Sequence, residues 1–175
     1  MVRKTILLAM TMVLMTGYWV ALSSDVSEEL KTTVVRAEDA GTLIIPSLKG
    51  GDPAPEKLNV RGIIAFPANK SKVLTLLAKS LAVAKNNLMI AGETARGEAE
   101  GLAGRQIIVK FAAPQRNSAN ELQGYVFIDG QDYGLSLIER GLAVADPQDT
   151  DHPNADRYTR AQERAAANKA GVWGM

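Results

Sequence analysis

Apolar residues run almost unbroken from Ile6 to Leu22 behind Arg3 and Lys4, and polarity returns at Ser23, Ser24, Asp25, Glu28 and Glu29. A stretch of about 17 residues is longer than the usual core of a signal peptide and meets the lower edge of a bilayer span, so it predicts an export signal or a membrane anchor. Ala21-Leu22-Ser23 offers small residues to a cleaving peptidase, whereas Tyr18 and Trp19 have the character of an interfacial aromatic anchor. In both cases the Arg3/Lys4 pair keeps the N-terminus cytoplasmic and sends the remainder outward. The expected division is a signal peptide or signal-anchor helix over 1–24, a polar linker or short helical turn over 25–31 and one domain over 32–175.

Within that domain the pattern is at first β-like. Thr32 to Val35 and Thr42 to Ile45 are β-branched runs separated by Glu38-Asp39-Ala40-Gly41, which predicts strand, turn, strand. Lys49 to Pro55 is rich in breakers and reads as loop, and Leu58 to Phe66 returns to strand character before Pro67. From Ser71 to Lys85 the period changes: Val73, Leu76, Leu77, Leu81 and Ala84 recur at helical steps, and Asn86-Asn87 closes the run. Leu88 to Ala91 suits a short strand, and Gly92 to Gly104, with four glycines and three glutamates, suits a loose excursion or weak helix. Strands are expected over Gln106 to Ala112 and Gly124 to Ile128 around a turn at Pro114 to Asn120; helices are expected over Leu135 to Arg140 and Ala155 to Ala170. About five short strands with one helix between them and two after them suit a small Greek-key barrel of the OB type.

Composition is that of an ordinary globular domain, 46% hydrophobic and 22% charged. The absence of cysteine excludes disulfides, thiolate metal sites and cysteine nucleophiles. Charge narrows the partners further: without Arg3 and Lys4 the chain holds 18 basic against 19 acidic residues. Proteins that live on phosphate contacts normally carry a basic face, so near-neutrality counts against nucleic acid.

Tyr125-Val126-Phe127-Ile128-Asp129-Gly130, then Leu135 to Ala143 with its Gly141-Leu142-Ala143 ending, then Gly171-Val172-Trp173, resembles the C-terminal half of a staphylococcal-nuclease-like domain. The resemblance implies an α+β fold, an SNase-like OB barrel of five strands with about three helices, here behind an N-terminal hydrophobic helix. It also implies calcium-dependent phosphodiester hydrolysis, in which carboxylates hold the metal, arginines offset phosphate charge and a glutamate activates water.

The residues at the matching positions differ from that pattern. In Asp39-Ala40-Gly41-Thr42, glycine stands at the metal ligand and Asp39 reads as a turn former. Anchoring on Pro67 puts Val60 at an arginine, Ala65 at an aspartate and Ala68 at the glutamate, while Arg61 falls on the opposite face of a strand. A rival register through Asp52 to Glu56 offers Glu56, and Glu121 takes the place of a second phosphate-binding arginine. Asp146, Asp149, Asp151 and Asp156 gather near the single histidine, His152, but without the glycine and closing glutamate of a calcium loop. A solvated acidic loop is expected there, with Asn154 or Asp156 capping the last helix. Arg157, Arg160, Arg164 and Lys169 read as a solvated helix face, and Tyr125, Phe127 and Trp173 as core.

The expectation is therefore no catalytic, cofactor or metal residue, no enzyme activity and no cofactor. The chain reads as an exported or membrane-tethered accessory domain that contacts protein partners in an envelope assembly. Two alternatives stay open: a residual calcium-dependent nuclease using Asp39, Glu56 or the Asp146 to Asp156 cluster, and an OB module that binds nucleic acid or an oligosaccharide.

Overall fold

The computed structural model describes residues 28–48, 54–113, 115–150 and 154–175. The expected leader, the first residues of the linker, Asp52, Asp151 and His152 lie outside them. In chain order the elements are β1 (Glu29–Thr33), β2 (Arg36–Asp39), β3 (Thr42–Ile45), β4 (Glu56–Val60), β5 (Ile63–Ala65), α1 (Lys72–Leu81) and α2 (Lys85–Glu100). There follow β6 (Gln106–Lys110), β7 (Leu122–Ile128), β8 (Gln131–Asp132), α3 (Tyr133–Glu139), β9 (Ala143–Ala145), α4 (Ala155–Ala167) and a 3-10 turn (Gly171–Trp173).

The main sheet runs β1-β6-β7-β4-β3-β2, antiparallel except where β4 lies parallel to β7. Its two ends belong to one bent strand. Val34 donates its N–H to Arg105 and Val35 donates to Ile44, so the chain changes partner between β1 and β2 and carries the sheet round on itself. Closure removes exposed edges and encloses Leu43, Ile45, Leu58, Ile107, Val109 and Val126, all essentially without solvent contact. This is the α+β, OB-type arrangement expected, with four α-helices where about three were read.

Four local readings change. Glu29 to Lys31, read as linker, form part of β1 because β6 offers an antiparallel partner. The single strand expected from Leu58 to Phe66 breaks at Arg61-Gly62, and its second half, β5, leaves the main sheet to pair with β9. The strand expected at Leu88 to Ala91 is instead helix, and of the two readings of Gly92 to Gly104, loose excursion or weak helix, the helical one holds as far as Glu100, the end of α2. Leu88, Ala91, Gly92, Ala95 and Ala99 form its buried stripe, and a Cβ on Gly92 would lie 2.5 Å from the Phe66 carbonyl oxygen. Small residues that read as slack are a close-packing face. Asn86 and Asn87 belong to the first turn of α2, and α1 ends earlier, at Ala82, which turns left-handed with φ 53°.

The C-terminal signature has a direct physical cause. Asp132 caps α3 by accepting the Leu135 N–H, and Tyr158 of α4 donates its hydroxyl to the same carboxylate at 2.9 Å. Gly141 and Gly171, both at positive φ, lie back to back. A Cβ on either would meet backbone of the other segment at 2.2–2.4 Å. The glycine after α3 and the glycine before Trp173 are therefore two halves of one contact.

Candidate functional site

Alternation along β4 places Leu58 and Val60 in the core and turns Asn59 to the other face. Asn59 is opposite Thr42 in the β3–β4 ladder, with Thr42 Oγ1 3.5 Å from Asn59 Oδ1. Its Nδ2 donates to Glu121 Oε2 at 3.0 Å and to the Leu122 carbonyl at 3.3 Å. Asn117 donates its own Nδ2 to the same Glu121 oxygen at 3.1 Å, while Asn117 Oδ1 accepts the backbone N–H of Ala119 and Glu121. Two amides thus converge on one carboxylate at the foot of β7.

Ion pairs frame this centre. Lys57 Nζ stands 2.8 Å from Glu38 and 3.9 Å from Glu121, and Arg36 also reaches Glu38. Glu56 pairs with Arg116 at 2.7 Å and accepts the Leu48 N–H, while Arg116 also donates to the Asn120 carbonyl. Hydrogen bonds from Asn117 and then Asn59 hold the Glu121 carboxyl below its ordinary range; the Lys57 hydrogen bond does the same for Glu38. A shallow hollow of about 190 Å³ opens between Glu56, Lys57, Arg116 and Glu121. A phosphate beside Glu121 would be repelled by its carboxylate, an effect offset only as far as Lys57 and Arg116 leave their own carboxylates.

Arg61 organises a second hollow of about 300 Å³, on the turn between β4 and β5. Its Nε and Nη2 grip Asp149, and Nη1 donates to the carbonyls of Ala112 and Ala113 at 2.9 and 3.1 Å. The pair is 11% and 15% exposed, and the guanidinium lies 5.9 Å from the centre of the Tyr125 ring. Hydrogen bonding to Asp149 raises the Arg61 pKa, and burial, with Asp149 next, raises that of Tyr125. This geometry is a clamp that ties three connections together.

The sequence-derived candidates are thus dispersed. Asp39 accepts the Gly41 N–H at 2.8 Å, as a turn former does. Val60 is a core residue, so the register through Pro67 does not hold at β4; the outward residue beside Glu121 is Asn59. Asp146 caps a turn at Gln148, Asp149 is taken by Arg61, and Asp156 lies in the first turn of α4 behind Asn154. Arg157, Arg160, Arg164 and Lys169 are exposed. Tyr125 is buried, whereas Phe127 and Trp173 are partly buried against the core. Among the described residues, calcium, which the resemblance implies, meets no fitting donor set. No three of their His, Asp or Glu side chains gather as a metal site, and a side chain at Gly41 would lie 3.1 Å from Ala65 Cβ. Asn59, Asn117, Lys57 and Arg116 were not singled out from sequence. Counting outward from Leu58 would have found Asn59; the others come together only through the fold.

The family model for staphylococcal nuclease homologues matches residues 83–175, a little over half of the chain. The chain belongs to that family. No curated protein matches it. Membership in a family of nuclease homologues corrects the expectation that the chain is not an enzyme. Val60, which the register through Pro67 puts in place of an arginine, faces the core and bears on no phosphate site.

Proposed function

We propose that this chain is an SNase-like domain, exported or tethered by its N-terminal apolar run, that works by contacting a protein partner in a membrane or envelope assembly. One observation supports the reading above others. The face carrying Thr42, Asn59 and Glu121 is a network of amides and matched ion pairs, with a stabilised carboxylate where an arginine was expected. Such a surface offers mixed hydrogen-bond donors and acceptors, which suit a polar peptide surface better than a polyanion. The near-neutral charge of the exported part points the same way.

Family membership favours a second reading, phosphodiester hydrolysis at a rearranged site that includes Glu56. Affinity purification from solubilised membranes, with the N-terminus of the recovered chain determined, tests the first. An uncleaved or mature chain that returns with a stoichiometric protein partner supports it, and a solitary chain counts against it. Degradation of DNA or RNA by the purified chain with divalent metal, abolished by Glu56→Ala, would establish the second.

A further inference from the structure

Helix α1 buries Leu74 and Ala78 and turns the opposite side to solvent. At about 100° per residue, Leu76 lies almost diametrically across from that buried pair. It is 68% exposed, and Val73 on the same outer side is 52% exposed. Lys72 and Lys79 flank Leu76 one turn before and after, both exposed, and Ser71 fixes the helix start by accepting the Leu74 N–H. An outward leucine between two lysines has no role in the core.

The charge around it is of one sign. From Lys70 to Gly92 the sequence contains Lys70, Lys72, Lys79 and Lys85 and no Asp or Glu. Grooves of about 520 and 430 Å³ lie along the two sides of α1. The first is lined by Val73, Leu76 and Leu77 with Lys79, the second by Leu74 and Met89 with Lys70 and Lys85; neither is lined by a carboxylate. A helix with exposed aliphatic side chains ringed by lysines matches the boundary between acyl chains and anionic headgroups. If the apolar run to Leu22 is the anchor, the six residues before Glu29 reach at most about 20 Å, which holds the domain beside such a surface.

We infer that α1 is a docking surface for an anionic lipid bilayer, with Leu76 and Val73 entering the headgroup boundary and Lys70, Lys72 and Lys79 facing lipid phosphates. The inference deepens the tethered reading and rests on it for proximity. Because the chain has no cysteine, Leu76→Cys in the full chain accepts one spin label at an exposed site, and Arg160→Cys on α4 serves as a control. The probe surface is a vesicle containing phosphatidylglycerol, compared with one of phosphatidylcholine alone.

The expected result is that label 76 becomes accessible to oxygen and shielded from an aqueous nickel complex in anionic vesicles only, while label 160 stays in water. Replacing Lys70, Lys72 and Lys79 by Gln is expected to weaken this partitioning about fivefold per lysine. A label at 76 that remains in water on anionic vesicles overturns the inference. So does one already shielded without vesicles, which would mean that protein covers the helix. Retention of the chain on vesicles in high salt reports the tether separately, so a failed dock and a failed anchor give different results.

Discussion

Gly92 and Gly97 lie on the same helix and have opposite surroundings. A Cβ at Gly92 would press on the backbone of Phe66 and Pro67, whereas one at Gly97 meets nothing within 4 Å. Gly92→Ala is therefore expected to lower stability by about 1–3 kcal/mol or more, since backbone cannot rotate away. Gly97→Ala should raise it by about 0.5–1 kcal/mol through helix propensity. Thermal melts of the two variants check this, and equal shifts would refute the packing described for α2. At Asp132 the carboxylate is 7% exposed and takes both the α3 cap and the Tyr158 hydroxyl. Tyr158→Phe removes one donor from a buried anion, and a loss of about 1–3 kcal/mol in denaturant titration is expected.

Between elements, Glu121 ties the start of β7 to Asn59 of β4 and to the Asn117 turn. Its pKa in the folded chain is lowered from its ordinary 4.5 by those amides. As the pH falls, the unfolded chain takes up the proton first. The stabilisation is whole above the unfolded value and is lost as pH passes down through the folded one. Glu38, lowered by Lys57, acts in the same direction and window. Glu121→Gln should flatten the acid side of the stability profile, read as urea midpoints from neutral pH down to about pH 3. An unchanged slope would mean that the carboxylate is no better stabilised folded than unfolded.

Across the whole molecule, closure of the barrel brings together segments far apart in sequence, and Arg61 with Asp149 locks one end of it. Neither side chain is fully buried, so loss of one partner should cost about 2–4 kcal/mol, between an exposed and a fully buried pair. A double-mutant cycle of Arg61→Met and Asp149→Asn is expected to show coupling well above that of an exposed pair; coupling near zero would reduce Arg61 to a carbonyl ligand. Much of the architecture was legible along the chain. The runs Thr42 to Ile45, Gln106 to Ala112 and Gly124 to Ile128 marked β3, β6 and β7, the helical period marked α1, and the Gly141-Leu142-Ala143 and Gly171-Val172-Trp173 endings marked the C-terminal half. These are local signals, set by backbone conformation and by the period of burial, and the chain carries them wherever it goes. The extent of α2 was not legible, because glycine and alanine mark a loop or a tight helix contact according to what lies opposite. Nor was the network of Asn59, Asn117, Glu121 and Lys57. Its members come from two stretches some sixty residues apart, and only the parallel pairing of β4 with β7 puts amide and carboxylate within hydrogen-bonding distance.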